Sequence, residues 1–95
     1  MFVTIVEGVI DPSREADLRS AWENTTVTLP TGLIESSLLR TETGTWRIVS
    51  VWQSQEALTA MRASGQPPAA LRMFEQAGSK PSVSAWTVEG RVSAN

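Results

Sequence analysis

Apolar residues recur along this chain at two periods, every second position in some stretches and every third to fourth in others, and the changes of period mark its elements. Met1–Ile10 is apolar on both parities: Phe2, Val6 and Ile10 alternate with Val3, Ile5 and Val9. A strand buried on both faces is predicted, and such a strand is central in its sheet. Glu7 interrupts the run, and Gly8 beside it lets the backbone bend or another group approach. Asp11-Pro12-Ser13 then opens a helix, with Asp11 or Ser13 as cap, Pro12 in the first turn and Glu15 near the positive end of the dipole. Leu18, Trp22, Thr25 and Leu29 recur at helical spacing with Ala21 beside them, so one face of this helix is expected to cover a sheet. Thr25-Thr26-Val27-Thr28 is a poor helix former, which predicts fraying before Pro30-Thr31-Gly32 ends the segment.

The stretch from Gly32 to Met61 organises the rest. Leu33–Thr41 and Thr45–Trp52 are rich in apolar and β-branched residues, and Glu42-Thr43-Gly44 between them predicts a hairpin. Ser54 offers an N-cap oxygen to a helix whose Ala57, Leu58 and Met61 share a face. Ser64-Gly65-Gln66-Pro67-Pro68 is a break. Ala69–Ala77 then predicts a short helix with Leu71 and Phe74 apolar and Gly78 as its C-terminal cap. Ser82–Val92 predicts the last strand, with Trp86 and Val88 on one parity and Val83, Ala85 and Thr87 on the other. Residues 1–92 form one domain and 93–95 a tail. With helices on one face, the order β-α-β-β-α-β gives an α+β, ferredoxin-like split βαβ fold with a four-stranded antiparallel sheet. Apolar residues on both strand parities leave the second sheet face to be covered. A homodimer whose open faces meet about a two-fold axis, closing a barrel-like core, is the expectation.

Composition narrows the chemistry. No apolar run approaches the ~20 residues needed to cross a bilayer, and Met1–Val9 lacks the basic and small-residue flanks of a signal peptide. A soluble, cytoplasmic protein that does not engage membranes is expected. The net charge is −2 with Lys and Arg scattered, so no nucleic-acid partner is expected either. The chain has no Cys, His or Tyr. Thiolate nucleophiles, zinc-thiolate and iron–sulfur sites, the commonest metal ligand and the commonest general base are thereby excluded. Proton transfer falls to a carboxylate, a hydroxyl, Lys80 or an Arg, and no metal site is expected.

Several segments resemble one known family. They are the Pro12-Ser13 helix start, Gly32-Leu33-Ile34, Leu38-Leu39-Arg40, and above all the Val51-Trp52-Gln53-Ser54-Gln55-Glu56-Ala57-Leu58 strand-to-helix junction. The chain is similar through them to the antibiotic biosynthesis monooxygenase domain family of the dimeric α+β barrel superfamily, over nearly its whole length. The resemblance implies a homodimer with a pocket in each subunit between helices and sheet. Some members use it to oxidise aromatic polyketides or quinols with dioxygen and no cofactor, neither metal nor flavin. Others degrade haem, with a Trp late in the helix after the junction, a His about a segment later and an Asn on the first strand. Met61, Leu71 and Val6 or Glu7 stand at those positions here, so a haem-degrading enzyme is not implied.

Four Trp residues stand out in a chain with two Phe. Trp22, Trp46, Trp52 and Trp86 are either large core fillers or the wall of a pocket for an aromatic ligand, with Trp46 and Trp86 the better pocket candidates because Trp52 sits at the junction. Arg40 and Arg47 flank the hairpin turn. They are solvated or paired with an acid such as Glu42, or they hold an enolate or carboxylate in a guanidinium fork. Glu7, the acid inside an apolar strand, is a base raised by desolvation or one half of an ion pair at a dimer interface. Met61, Met73 and Phe74 are core residues, or by the resemblance the pocket mouth. The leading reading is a cofactor-independent monooxygenase for a small aromatic or quinol substrate. In it Trp46 and Trp86 stack the ring, Arg47 holds its anion, Glu7 takes the proton, and Trp22, Met61 and Phe74 complete the pocket. A non-catalytic dimeric module binding a small apolar molecule, and an isomerase or lyase acting on a lactone or cyclic ketone, are the alternatives.

Overall fold

The structure, a computed structural model, describes residues 1–25, 29–63 and 69–94. Strand β1 (Phe2–Val9) leads through one 3-10 turn (Pro12–Arg14) into α1 (Glu15–Thr25). The hairpin β2 (Leu33–Arg40) and β3 (Thr45–Trp52) follows, then α2 (Gln55–Ala63), α3 (Ala69–Gln76) and β4 (Ser82–Thr87). The four strands form one antiparallel sheet in the order β2-β3-β1-β4. This is the expected ferredoxin-like α+β arrangement, with β1 central.

Local chemistry explains most boundaries. The Asp11 carboxylate accepts from the Ser13 backbone N–H at 2.9 Å and from its hydroxyl at 2.7 Å, so Asp11 is the cap and Pro12 the first residue of the turn. Ser54 Oγ accepts from the Ala57 N–H at 3.2 Å and starts α2. Helix α3 ends in a Schellman pair: Ser79 N–H donates to the Phe74 carbonyl and Gly78 N–H to that of Glu75, with Gly78 at φ +79.

Strand parity decides what is inside. Val6, Ile10, Trp46 and Ile48 are buried with Leu18, Met73, Phe74 and Ala77, so even-numbered positions of β1 and β3 face the helices. Opposite them, Val3, Ile5, Glu7 and Val9 on β1 and Arg47, Val49 and Val51 on β3 face away, in register with one another. Leu39 on β2, paired to Arg47, and Trp86 on β4, paired to Val3, join this second face and are 49% and 57% exposed. A bulge at Ile34 shifts the β2 register before Glu35.

The ends of α1 and β4 differ from expectation. Among the described residues α1 ends at Thr25, and Leu29, expected on its apolar face, lies outside the helix and is 54% exposed. The expected fraying at residues 26–28 and the break at residues 64–68 fall outside the described residues. Strand β4 stops at Thr87 rather than Val92. Thr87 pairs with Phe2, the first residue of β1, and Val88 N–H reaches the Met1 carbonyl at 3.2 Å. Val92 is accordingly 96% exposed.

Candidate functional site

A cavity of about 780 Å³ opens between the helices and the inward face of the sheet. Its volume lies in the range of sites for small molecules, about 300–1,000 Å³. Its apolar walls come from Trp22 on α1, Leu58 and Met61 on α2, Leu71 and Met73 on α3, and Trp52 at the end of β3.

The floor is polar. Ser36 on β2, Ser50 on β3 and Thr4 on β1 are direct cross-strand neighbours, so their side chains form a row of hydroxyls across the sheet. Ser36 Oγ and Ser50 Oγ are 2.9 Å apart. The Trp52 indole Nε1–H donates to Thr4 Oγ1 at 3.1 Å, which leaves the Thr4 hydroxyl hydrogen to donate elsewhere. Thr4 and Ser50 are the two buried polar residues of the sheet. The cavity lining contains Arg62 and Arg72 and no acidic residue among the described residues.

The expected site residues divide between two faces. Trp22 and Met61 line the cavity, and Phe74 lies in the core beneath it with no exposure. Trp46 is buried elsewhere: its indole N–H donates to Glu15 Oε2 at 3.0 Å, Arg40 Nε meets the same oxygen at 3.0 Å, and the Arg19 guanidinium lies 5.1 Å from the ring centroid. That cluster ties α1 to the β2–β3 hairpin and uses both Trp46 and Arg40 structurally. Glu7 and Arg47 pair with each other on the outward face of the sheet, and Trp86 stands on the same face with its N–H on Ser84 Oγ at 2.9 Å. Single-residue alternation explains this placement. With Val6 and Ile48 fixed inward by the core, their neighbours Glu7 and Arg47 point outward. Neither Glu7 nor Arg47 borders the cavity.

Thr4, Ser36, Ser50, Arg62 and Arg72 went unmarked in the sequence. The signal for the hydroxyls was present: Thr4 shares a parity with Phe2 and Val6, and Ser50 with Ile48 and Trp52, so each is a polar residue in an inward row.

The fold defines a class: an α+β protein with the fold of solved structures proposed to be antibiotic biosynthesis monooxygenases. A proposed member from Deinococcus radiodurans superposes with a TM-score of 0.74 at 12% identity, over 100% of this chain and 99% of that one. Rv0793 from Mycobacterium tuberculosis gives 0.71 at 18% identity, over 97% of this chain and 98% of its own. A single-site variant of SnoaB, a cofactor-independent oxygenase from Streptomyces nogalater, gives 0.72 at 18% identity, over 96% and 95%. No protein-family model matches the chain, and no curated protein does. The likeness carried in sequence by the Val51–Leu58 junction thus extends, as a fold, to the whole chain.

Proposed function

We propose that this protein is a cofactor-independent monooxygenase that oxidises a small aromatic or quinol substrate with dioxygen. The observation that carries the reading is the cavity, apolar and tryptophan-bearing on its walls and crossed by the Thr4–Ser50–Ser36 hydroxyls on its floor. A flat ring packs against Trp22 and Trp52, and its oxygen substituent accepts from the hydroxyl row. Thr4 already accepts from Trp52, so its own O–H is polarised toward a ligand oxygen.

The chemistry suits a substrate that ionises readily. For an anthrone-type ring, loss of a proton from the ring CH2 gives an anion delocalised onto the oxygen. Hydrogen bonds from Thr4 and Ser50 stabilise that oxyanion, and the anion itself reduces dioxygen. One oxygen atom ends as the new carbonyl and the other leaves as water with the two hydrogens of the CH2. The chain binds, orients and excludes water; with no carboxylate among the described lining residues, the substrate's own acidity and solvent supply the proton step.

Two copies of the chain complete the unit in this reading. Val3, Ile5, Val49, Val51, Leu39 and Trp86 on the outward sheet face are apolar around the Glu7–Arg47 pair, and a second copy would bury them. Sedimentation at micromolar concentration checks this, and a monomer would sink it.

The second reading, a binding module without turnover, is favoured by the absence of any acid on the described lining. Titration with anthrone, following tryptophan fluorescence and oxygen uptake together, separates them. Saturable quenching with oxygen consumption that falls in Ser50→Ala supports the monooxygenase. Quenching without consumption leaves the binding module.

A further inference from the structure

We infer that Ser36 is a positioning residue: its reversible hydrogen bond with Ser50 lets the cavity floor take a ligand oxygen either as a hydroxyl or as a carbonyl. This deepens the proposed function and rests on its cavity. The ligand class it names is one whose ring oxygen passes between those two forms, as in a quinol and its quinone.

A hydroxyl has one hydrogen to give and two lone pairs to receive with, so the direction of a bond between two hydroxyls is set by their surroundings. At Thr4 part of the pattern is fixed. The Trp52 indole only donates, and Thr4 Oγ1 receives that bond at 3.1 Å. Ser36 and Ser50 have no such constraint on each other: their Oγ atoms are 2.9 Å apart and either is able to give the hydrogen. Their settings differ. Ser50 is 9% exposed on the inner strand β3, whereas Ser36 is half-buried on β2, at the edge of the sheet. Both border the cavity.

Two arrangements follow. When a ligand carbonyl meets Ser50, Ser50 donates to it and Ser36 donates to Ser50. When a ligand hydroxyl meets Ser50, Ser50 accepts from it and turns its own hydrogen to Ser36, whose half-buried setting leaves the Ser36 hydrogen to water. In neither arrangement is the hydrogen of the buried Ser50 stranded. Without Ser36 the two cases separate. A carbonyl ligand still uses the Ser50 hydrogen, but a hydroxyl ligand leaves that hydrogen with no acceptor.

The test is equilibrium dialysis of three flat probes, 2-naphthol, 9-fluorenone and naphthalene, against the parent chain, Ser36→Ala and Ser36→Thr. In Ser36→Ala, 2-naphthol is expected to bind about fivefold more weakly, the low end for a stranded buried donor because cavity water reaches Ser50, while 9-fluorenone changes by less than about twofold. Unchanged naphthalene binding shows that the cavity is intact, and Ser36→Thr restores 2-naphthol. Equal changes for 2-naphthol and 9-fluorenone, or no change in either, overturn the inference while leaving the aromatic cavity standing. So does a loss of 2-naphthol that Ser36→Thr fails to restore. Selective loss of 2-naphthol in a chain that consumes no oxygen with anthrone upholds the inference and sinks the monooxygenase. A parent chain that binds none of the three overturns both.

Discussion

Replacing Thr4 by Val tests the link between the core and the cavity floor. The two side chains have nearly the same shape, so the change removes a hydroxyl without opening a large void. Thr4 is 8% exposed and Trp52 5% exposed, and the 3.1 Å bond between them gives the indole N–H its partner. Without it a buried donor is stranded, at a cost of about 1–3 kcal/mol. Because both residues border the cavity, water can reach the indole, which puts the expected loss near the low end, about 1 kcal/mol. For a domain of this size that lowers Tm by roughly 4–8 °C. The assay is urea and thermal denaturation followed by circular dichroism, at fixed protein concentration because self-association would shift the apparent stability. Trp52→Phe and the double variant complete a cycle whose coupling should be about 1 kcal/mol. A Thr4→Val protein as stable as the parent, with additive effects in the cycle, would refute the reasoning and return the Thr4 hydroxyl to an incidental role.

Gly32, at φ +89 just before β2, accepts at its carbonyl from Gln53 N–H, in the junction between β3 and α2, at 2.8 Å. A Cβ there would lie 2.5 Å from the Ala57 Cβ, so Gly32→Ala should cost at least about 1 kcal/mol from the left-handed backbone alone, read as a lower urea midpoint. Adding Ala57→Gly should recover the steric part and leave the backbone part. Acid dependence should trace in part to Asp11, whose carboxyl the Ser13 hydroxyl and then its N–H hold below the ordinary value. A carboxyl depressed by folding stabilises fully above its unfolded pKa and loses that contribution as pH falls through the lower folded value. Stability measured from pH 6 down to about pH 2 should therefore drop less steeply in Asp11→Asn than in the parent.

The sequence by itself determined the elements and their order, because the signals for those are local. Asp11 and Ser54 cap the helices, Gly78 ends α3, and Glu42-Thr43-Gly44 turns the hairpin, each through groups a few residues apart. Continuous apolar character placed β1 in the middle of the sheet, and the Val51–Leu58 junction pointed to the fold. Where β4 ends was not legible, since it depends on pairing with β1, a strand far away in sequence. Only the tertiary structure decided which parity faces the helices. In β1 both rows are apolar, and the choice is made by Leu18, Met73 and Phe74 arriving from α1 and α3. That choice sends Val6 inward and Glu7 outward, with Arg47 beside it. The candidate site moved with it, from charged residues conspicuous in sequence to a row of hydroxyls from three strands, which only the register of the sheet brings together.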